Sequence, residues 1–236
     1  MSLDMFNFAN RVQGLEVPHE NGVSKGTCFL FHETDILSET NIPSGVKNTA
    51  YILTAYHVVK DYIKGNSDNM ILRGPLSSYD IRPKSSFYED DITGRDIALF
   101  IVEPDLFPGG FNDTRNLYFV RKADSMYGAN LYYFGYPEVF GDRQKRADVY
   151  KPLVRHGVGG AQFQNEIWIS GDGSKGFSGS PIIAKGEDIN MNQRNCFAVL
   201  GVLTSKTKMI DGNSVFVRGT SIDFILEGLK SVNKNK

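Results

Sequence analysis

A histidine, an aspartate and a serine, far apart along 236 residues, each occupy a setting suited to proton transfer or nucleophilic attack. His57 closes the apolar run Tyr51-Ile-Leu-Thr-Ala-Tyr. An imidazole held at the end of a strand can take and return a proton near neutral pH. Asp96 follows Gly94-Arg95 and leads into Ile97-Ala-Leu-Phe100. A carboxylate partly buried at a strand start can fix the tautomer of an imidazole and stabilise its charged form. Ser178 lies in Gly171-Asp-Gly-Ser-Lys-Gly-Phe-Ser-Gly-Ser-Pro181. Flanking glycines permit a tight turn that exposes the hydroxyl and aims main-chain N–H groups at a developing oxyanion, with Gly176 and Ser178 as the expected donors. Each segment alone also has an ordinary reading: a packed histidine, a turn aspartate, a flexible Gly/Ser loop. Together they describe acyl transfer by Ser178, with His57 as general base and Asp96 as its orienting acid.

These residues must be carried by strands. Short runs rich in Ile, Val, Phe, Tyr and Thr recur at 28–32, 51–55, 97–102, 130–134, 167–170, 181–184, 197–204 and 214–218, broken by Gly, Pro, Asn and Asp clusters such as 108–110 and 211–213. That rhythm predicts an all-β protein built as sandwich or barrel. One helix is expected at the C-terminus, where Ser221 can cap a stripe of Ile222, Ile225, Leu226 and Leu229. A shorter helical turn is expected over 56–63. The polar stretch 120–128 is the candidate connector between two halves, and there is no internal repeat.

The segments Leu53-Thr-Ala-Tyr-His57, Asp96-Ile-Ala-Leu99 and Gly176-Phe-Ser-Gly-Ser-Pro181 resemble the three signatures of trypsin-like serine peptidases, in the family's chain order of His, Asp, Ser. Gly26-Thr-Cys-Phe-Leu-Phe31 and Phe134-Gly-Tyr-Pro137 add a likeness to bacterial HtrA-like catalytic domains. The resemblance spans roughly 22–226. It implies a chymotrypsin-like fold of two packed six-stranded antiparallel β-barrels with a C-terminal α-helix. Residues 1–120 would hold His57 and Asp96, and 121–236 would hold Ser178. It further implies a serine endopeptidase whose peptide or protein substrate lies extended in the cleft, adding main-chain hydrogen bonds to a strand edge around Thr204 and Lys206.

The chain departs from the family in two places. Phe177 stands where digestive trypsins carry the aspartate that pairs with a freed N-terminus, so activation by N-terminal insertion is not expected, and regulation falls to loops, a partner protein or substrate. Asp172 lies six residues before Ser178, the offset of the trypsin specificity carboxylate, which would select Lys or Arg. Because the surrounding loop is Gly-rich and lacks the anchoring cysteine, Asp172 also reads as a turn residue. Lys206 would attract an acidic side chain, or pair with Asp172 and cancel it. With the chain ending at the helix, substrate recognition is expected to reside in the cleft loops.

Composition narrows the remaining classes. Lys plus Arg number 26 against 27 Asp plus Glu, a formal net charge of -1, so no global field would gather nucleic acid or an anionic membrane. The run Arg143-Gln-Lys-Arg146 and the tail 230–236 read as a solvated loop and a frayed terminus. His19, His32 and His156 lack Cys or His neighbours at ligand spacing, so no metal is implied, and the chemistry needs no cofactor. Cys28 and Cys196 are expected to be free thiols, Cys28 in a core. The N-terminus does not resemble a secretory signal and no stretch is long enough to cross a bilayer, so a cytoplasmic setting is expected; a secreted form with its signal removed fits as well. Two competing functions remain to be weighed. One is a quiescent peptidase-fold module that binds peptides or serves as a scaffold, its oxyanion hole collapsed around Phe177. The other is an esterase of unrelated fold, which the residue order and the missing Gly-x-Ser-x-Gly elbow disfavour.

Overall fold

The computed structural model describes residues 8–32, 50–74, 78–83, 85–89, 95–102, 117–119, 126–136, 152–163, 165–189, 197–208 and 215–227. The first half carries β1 (Val12–His19), β2 (Gly22–His32), β3 (Ala50–Thr54), helix α1 (Tyr56–Ile63), β4 (Met70–Arg73), β5 (Ser78–Ile81), β6 (Ser85–Glu89) and β7 (Ile97–Val102). The second carries β8 (Leu117–Phe119), β9 (Asn130–Gly135), β10 (Leu153–Phe163), β11 (Glu166–Gly171), β12 (Pro181–Lys185), β13 (Phe197–Lys208) and β14 (Val215–Ser221), followed by a short helix α2 over 222–227.

Two sheets result. The first runs β5-β4-β1-β2-β3-β7-β6 with antiparallel ladders. The second runs β12-β9-β10-β11-β14-β13, and β12 pairs back to β13, so six strands close into a barrel with no free edge at that seam. Outside the ring, β8 lies parallel to β13. The sheet therefore changes between Val102, where β7 ends, and Leu117, where β8 begins. All-β architecture with two antiparallel modules and a small C-terminal helix is the chymotrypsin-like fold that the resemblance implied.

Period-2 alternation explains how the modules stack, because the inner strands bury both faces. Ala50 and Ile52 point into the first module with Cys28, Leu30, Ala98 and Phe100. Tyr51 and Leu53 point the other way, joining Phe29, Phe31, Ile97 and Leu99 against Phe134, Ile183, Phe197, Val199 and Val202 of the second sheet. A third core of Leu131, Tyr133, Ile167, Ile169, Phe177 and Leu200 fills the closed barrel. Each such large side chain, fully buried, contributes about 1.5–3 kcal/mol. Phe8 joins the modules, its ring centroid 5.4 Å from Phe29 and 5.2 Å from Phe134. Ile222, Ile225 and Leu226 of α2 enter the same inter-module core, and Ser221 Oγ accepts the Asp223 N–H at 3.3 Å, as a cap does.

Every strand expected from composition is present, and α1 has its expected bounds. The sequence reading passed over β1, β4, β5, β6, β8 and β10. Glycines account for the largest omission, since β10 contains Gly157, Gly159 and Gly160, two of which approach main chain too closely to admit a side chain. Residues 120–125 of the candidate connector 120–128, the turn clusters 108–110 and 211–213, the basic run 143–146, Cys196, Leu229 and the tail 230–236 lie outside the described residues. Among those described, no helix is long and apolar enough to cross a membrane.

Candidate active site

His57 is the second residue of α1, immediately beyond β3, and Asp96 immediately precedes β7, the strand paired with β3. Adjacent strands thus bring residues 39 positions apart into contact. The carboxylate takes two hydrogen bonds from one residue: the His57 main-chain N–H to Oδ1 at 2.8 Å and Nδ1 to Oδ2 at 2.6 Å. Because an ionised carboxylate only accepts, the proton belongs on Nδ1, which leaves Nε2 as the basic nitrogen. The side chains differ sharply in exposure, 4% for Asp96 and 44% for His57, so the acid is shielded while the base faces solvent.

The backbone bends hard to achieve this. Asp96 has φ +39°, the left-handed region, which costs a non-glycine residue about 1–3 kcal/mol unless neighbours hold it. Several do. The Asp96 carbonyl accepts the Tyr56 N–H at 3.2 Å, the Thr220 hydroxyl donates to the Arg95 carbonyl, and the Arg95 guanidinium lies 4.2 Å above the Phe224 ring. Two of those contacts come from β14 and α2, so the far half of the chain helps to aim the first half's carboxylate.

Ser178 lies in the loop between β11 and β12, which consists of two successive β-turns sharing Phe177. Phe177 N–H donates to Ser174 O at 3.2 Å and Ser180 N–H to Phe177 O at 2.9 Å. The third position of each turn is a glycine with positive φ, +94° at Gly176 and +91° at Gly179, as type II turns require. That requirement explains the Gly-Phe-Ser-Gly spacing. Phe177 turns inward, fully buried and edge-to-face with Tyr133 at 5.9 Å, while Ser178 is half-buried at the surface of the loop. Gly179 N–H donates to Leu203 O at 2.8 Å. Of the five amides from Gly176 to Ser180, those of Phe177, Gly179 and Ser180 are therefore engaged. The amides of Gly176 and Ser178 have no partner among the described residues. Buried main-chain donors are rarely left so.

The two halves meet at β2. A Cβ on Gly26 would lie 2.6 Å from Val58 Cγ2 and 2.9 Å from Ser178 O, so this glycine lets the serine loop rest beside the first turn of α1, next to His57. Thr27 N–H donates to Ser178 O at 2.8 Å, and the Thr27 hydroxyl donates to Gly176 O at 2.7 Å. The imidazole–carboxylate link is closed, whereas the Ser178 hydroxyl has no hydrogen-bond partner among the described residues. Contacts of that kind commonly tighten only when substrate is bound. Thr27 and Thr220 were not singled out in the sequence as site residues; their hydroxyls act across 149 and 125 residues, which leaves no local signal.

Asp172 is exposed at the mouth of the same loop. Its carbonyl accepts the Tyr133 hydroxyl. Burial, reinforced by the Asp172 charge, pushes the Tyr133 phenol up to about 12. Thr204 is buried in β13 with its hydroxyl donating to Arg218 O at 3.2 Å. Lys206 pairs through its backbone with Val217 of β14, and its side chain lies outside what is described. The β12 ladder ends at Val202 and Leu203 bonds the serine loop, so from Thr204 onward that side of β13 has no ladder partner among the described residues. Cys28 is fully buried and far from titrating, its thiol pushed up by desolvation. No group of three or more metal-binding side chains occurs among the described residues.

A family model described as trypsin-like peptidase domain matches residues 26–188, a span that contains His57, Asp96 and Ser178. No curated protein matches the chain in sequence. Solved structures do match in shape. The active form of the Rv3671c protease from M. tuberculosis shares 17% identity, with 98% of this chain and 84% of that chain covered and a TM-score of 0.58. A Glu endopeptidase solved with MPD shares 17%, with 93% and 90% covered and a TM-score of 0.56. Tobacco etch virus protease in complex with product shares 11%, with 94% and 76% covered and a TM-score of 0.58. At these identities the likeness is one of fold.

Proposed function

Since this chain belongs to the trypsin-like peptidase family, we propose that it is a serine endopeptidase that cleaves peptide bonds through an acyl-enzyme. Ser178 Oγ attacks the scissile carbonyl carbon while His57 Nε2 takes its proton. Asp96 stabilises the resulting imidazolium, and the carbonyl oxygen, now anionic, is received by the Gly176 and Ser178 amides. Collapse breaks the C–N bond, and His57 returns the proton to the departing amine. Water then enters by the mirror route: His57 removes its proton, the ester breaks, and Ser178 regains its hydrogen.

The observation that carries this reading is the pattern of amides around Ser178. A loop that engages three of five donors and spares those of Gly176 and Ser178 keeps two main-chain N–H groups for an anionic oxygen. The inward packing of Phe177 supports the same reading against a quiescent module, because the ring occupies the barrel core rather than the hole.

Substrate is taken to be an extended peptide that pairs with the β13 edge at Thr204 and Lys206, with Asp172 as the candidate partner for a Lys or Arg side chain preceding the cleaved bond. A fluorophosphonate probe is expected to label Ser178, located by peptide mapping, and to leave Ser178→Ala protein unlabelled. Failure to label folded protein under conditions that label a control peptidase would sink the proposal. Cleavage profiling with a peptide mixture then reads the specificity: Asp172→Asn should lower kcat/KM for Lys and Arg sites about tenfold or more while sparing others.

A further inference from the structure

Thr27 is fully buried in the middle of β2, and all of its polar atoms are committed to the serine loop and its surroundings. Its N–H donates to Ser178 O at 2.8 Å, and its carbonyl accepts the Thr54 hydroxyl at 2.7 Å. Its own hydroxyl accepts the Tyr136 N–H at 2.9 Å and donates to Gly176 O at 2.7 Å. The direction of the last bond is forced. A main-chain N–H can only donate, so the lone pair facing Tyr136 is used and the hydroxyl proton is left for Gly176.

We propose that Thr27 is the positioning residue that presets the oxyanion loop, by fixing the peptide between Gly176 and Phe177, which lies between the two peptides that carry the Gly176 and Ser178 N–H groups. The inference rests on the reading of those two amides as oxyanion donors. Gly176 cannot choose this orientation by itself, since a residue without Cβ populates positive and negative φ about equally. Phe177 carries no charge with which to hold the loop; its buried ring fixes where the loop lies but not which way the preceding peptide faces. That peptide is tied at both ends, its carbonyl by Thr27 and its N–H by Ser174 O. Turning it over would break both ties and take from the buried Thr27 hydroxyl the acceptor it now uses, an outcome that buried hydroxyls disfavour. Loop geometry is thereby set by the first module, before substrate arrives.

The test compares Thr27→Val, which keeps the shape and loses the hydroxyl, with Thr27→Ser, which keeps the hydroxyl. Thr27→Ala, which leaves room for water, is measured alongside in case the valine protein does not fold, with urea midpoints recorded for all three. Loss of one oxyanion donor costs about 10²–10³ in kcat, and a misdirected loop is expected to cost about 10- to 100-fold, with KM changed by less than about threefold. Affinity for a peptide aldehyde should fall by the same factor, because the hemiacetal places an oxygen in the hole. Uncleaved peptide should bind Ser178→Ala and Thr27→Val/Ser178→Ala proteins equally. Thr27→Ser is expected to restore the rate to within about threefold of wild type. A folded hydroxyl-free variant with unchanged kcat, or a serine variant as impaired as the valine one, would overturn the role of Thr27 alone. Absence of Ser178-dependent turnover in the wild-type protein would overturn the proposed function, and this inference with it.

Discussion

Around Asp96 the decisive hydrogen bonds end on a side chain, whereas around Ser178 they run almost entirely between main-chain atoms. The carboxylate takes both the His57 main-chain N–H and its Nδ1, and its backbone is braced by the Thr220 hydroxyl and by Arg95 stacked on Phe224. The serine loop is instead two glycine-dependent turns pinned to Leu203 and Thr27 through amides and carbonyls, with one hydroxyl among the ties. The proposed roles account for the contrast. A general base needs one tautomer and one orientation, which an acceptor-only side chain imposes. An oxyanion needs donors that nothing else has used, and only a loop that counts its own amides can spare two of them.

The sharpest way to break the first half of that comparison is Asp96→Asn. Asparagine tolerates left-handed φ as aspartate does, so the strained turn survives, but its amide donates where Nδ1–H must donate. The wrong tautomer then faces Ser178. Turnover is expected to fall about 10⁴-fold with the thermal midpoint little changed. A loss of under tenfold would mean that the carboxylate is not orienting the base. The second half is broken by Gly179→Ala, which acts on the main chain. A Cβ there would lie 1.8 Å from Thr27 O and 2.4 Å from Thr54 Oγ1, at φ +91°. Destabilisation of about 3–5 kcal/mol in urea melts is expected, with activity lost along with the fold. An alanine protein of unchanged midpoint would show that the loop is not held as described.

How much of this could be read from residues alone follows the same division. The strands next to His57 and Asp96 were legible because unbroken apolar, β-branched runs have few alternatives, and α1 was legible as a short helical turn directly after a strand. The Gly-Phe-Ser-Gly spacing disclosed a turn, and the proposed nucleophile was read from the serine it carries. What it could not disclose was which amides the turn would leave free, since that depends on partners contributed by β2 and β13. Thr27 and Gly176 are 149 residues apart, and nothing local to either marks the bond between them. The positive φ of Asp96 was equally hidden, being imposed by packing from β14 and α2. Strand β10 escaped notice because glycine, normally a strand breaker, is required there for close approach of main chain.

Thr220→Val sharpens the comparison by asking how far the second module supports the first. Valine keeps the β-branched shape in β14 and removes the donor to the Arg95 carbonyl. Loss of one such bond to a buried neighbour should cost about 1–2 kcal/mol of stability, read from urea melts. Because the brace supports Asp96 rather than Ser178, kcat should fall several-fold while the fluorophosphonate-accessible serine remains labelled. Equal stability and rate in the variant would mean that the strained turn holds itself.

The smallest effect is expected two residues beyond the proposed nucleophile. Ser180 is wholly buried, and its main chain does its share of the work: its N–H donates to Phe177 O and its carbonyl accepts the Leu203 N–H at 2.8 Å. Its hydroxyl, close against Gly135, has no hydrogen-bond partner among the described residues. A buried hydroxyl left unpaired is a cost, of order 1 kcal/mol or somewhat more, so Ser180→Ala should be neutral or stabilising by up to about 1 kcal/mol, with kcat within about twofold of wild type. Ser178→Ala, in the same turn, should leave the urea midpoint alone and abolish turnover. If the second half of the site is held by backbone, these adjacent serines must separate cleanly, one dispensable to the rate and the other to the fold. Destabilisation of the Ser180→Ala protein by more than about 1 kcal/mol would reveal a side-chain tie from Ser180 in a turn held by main-chain bonds.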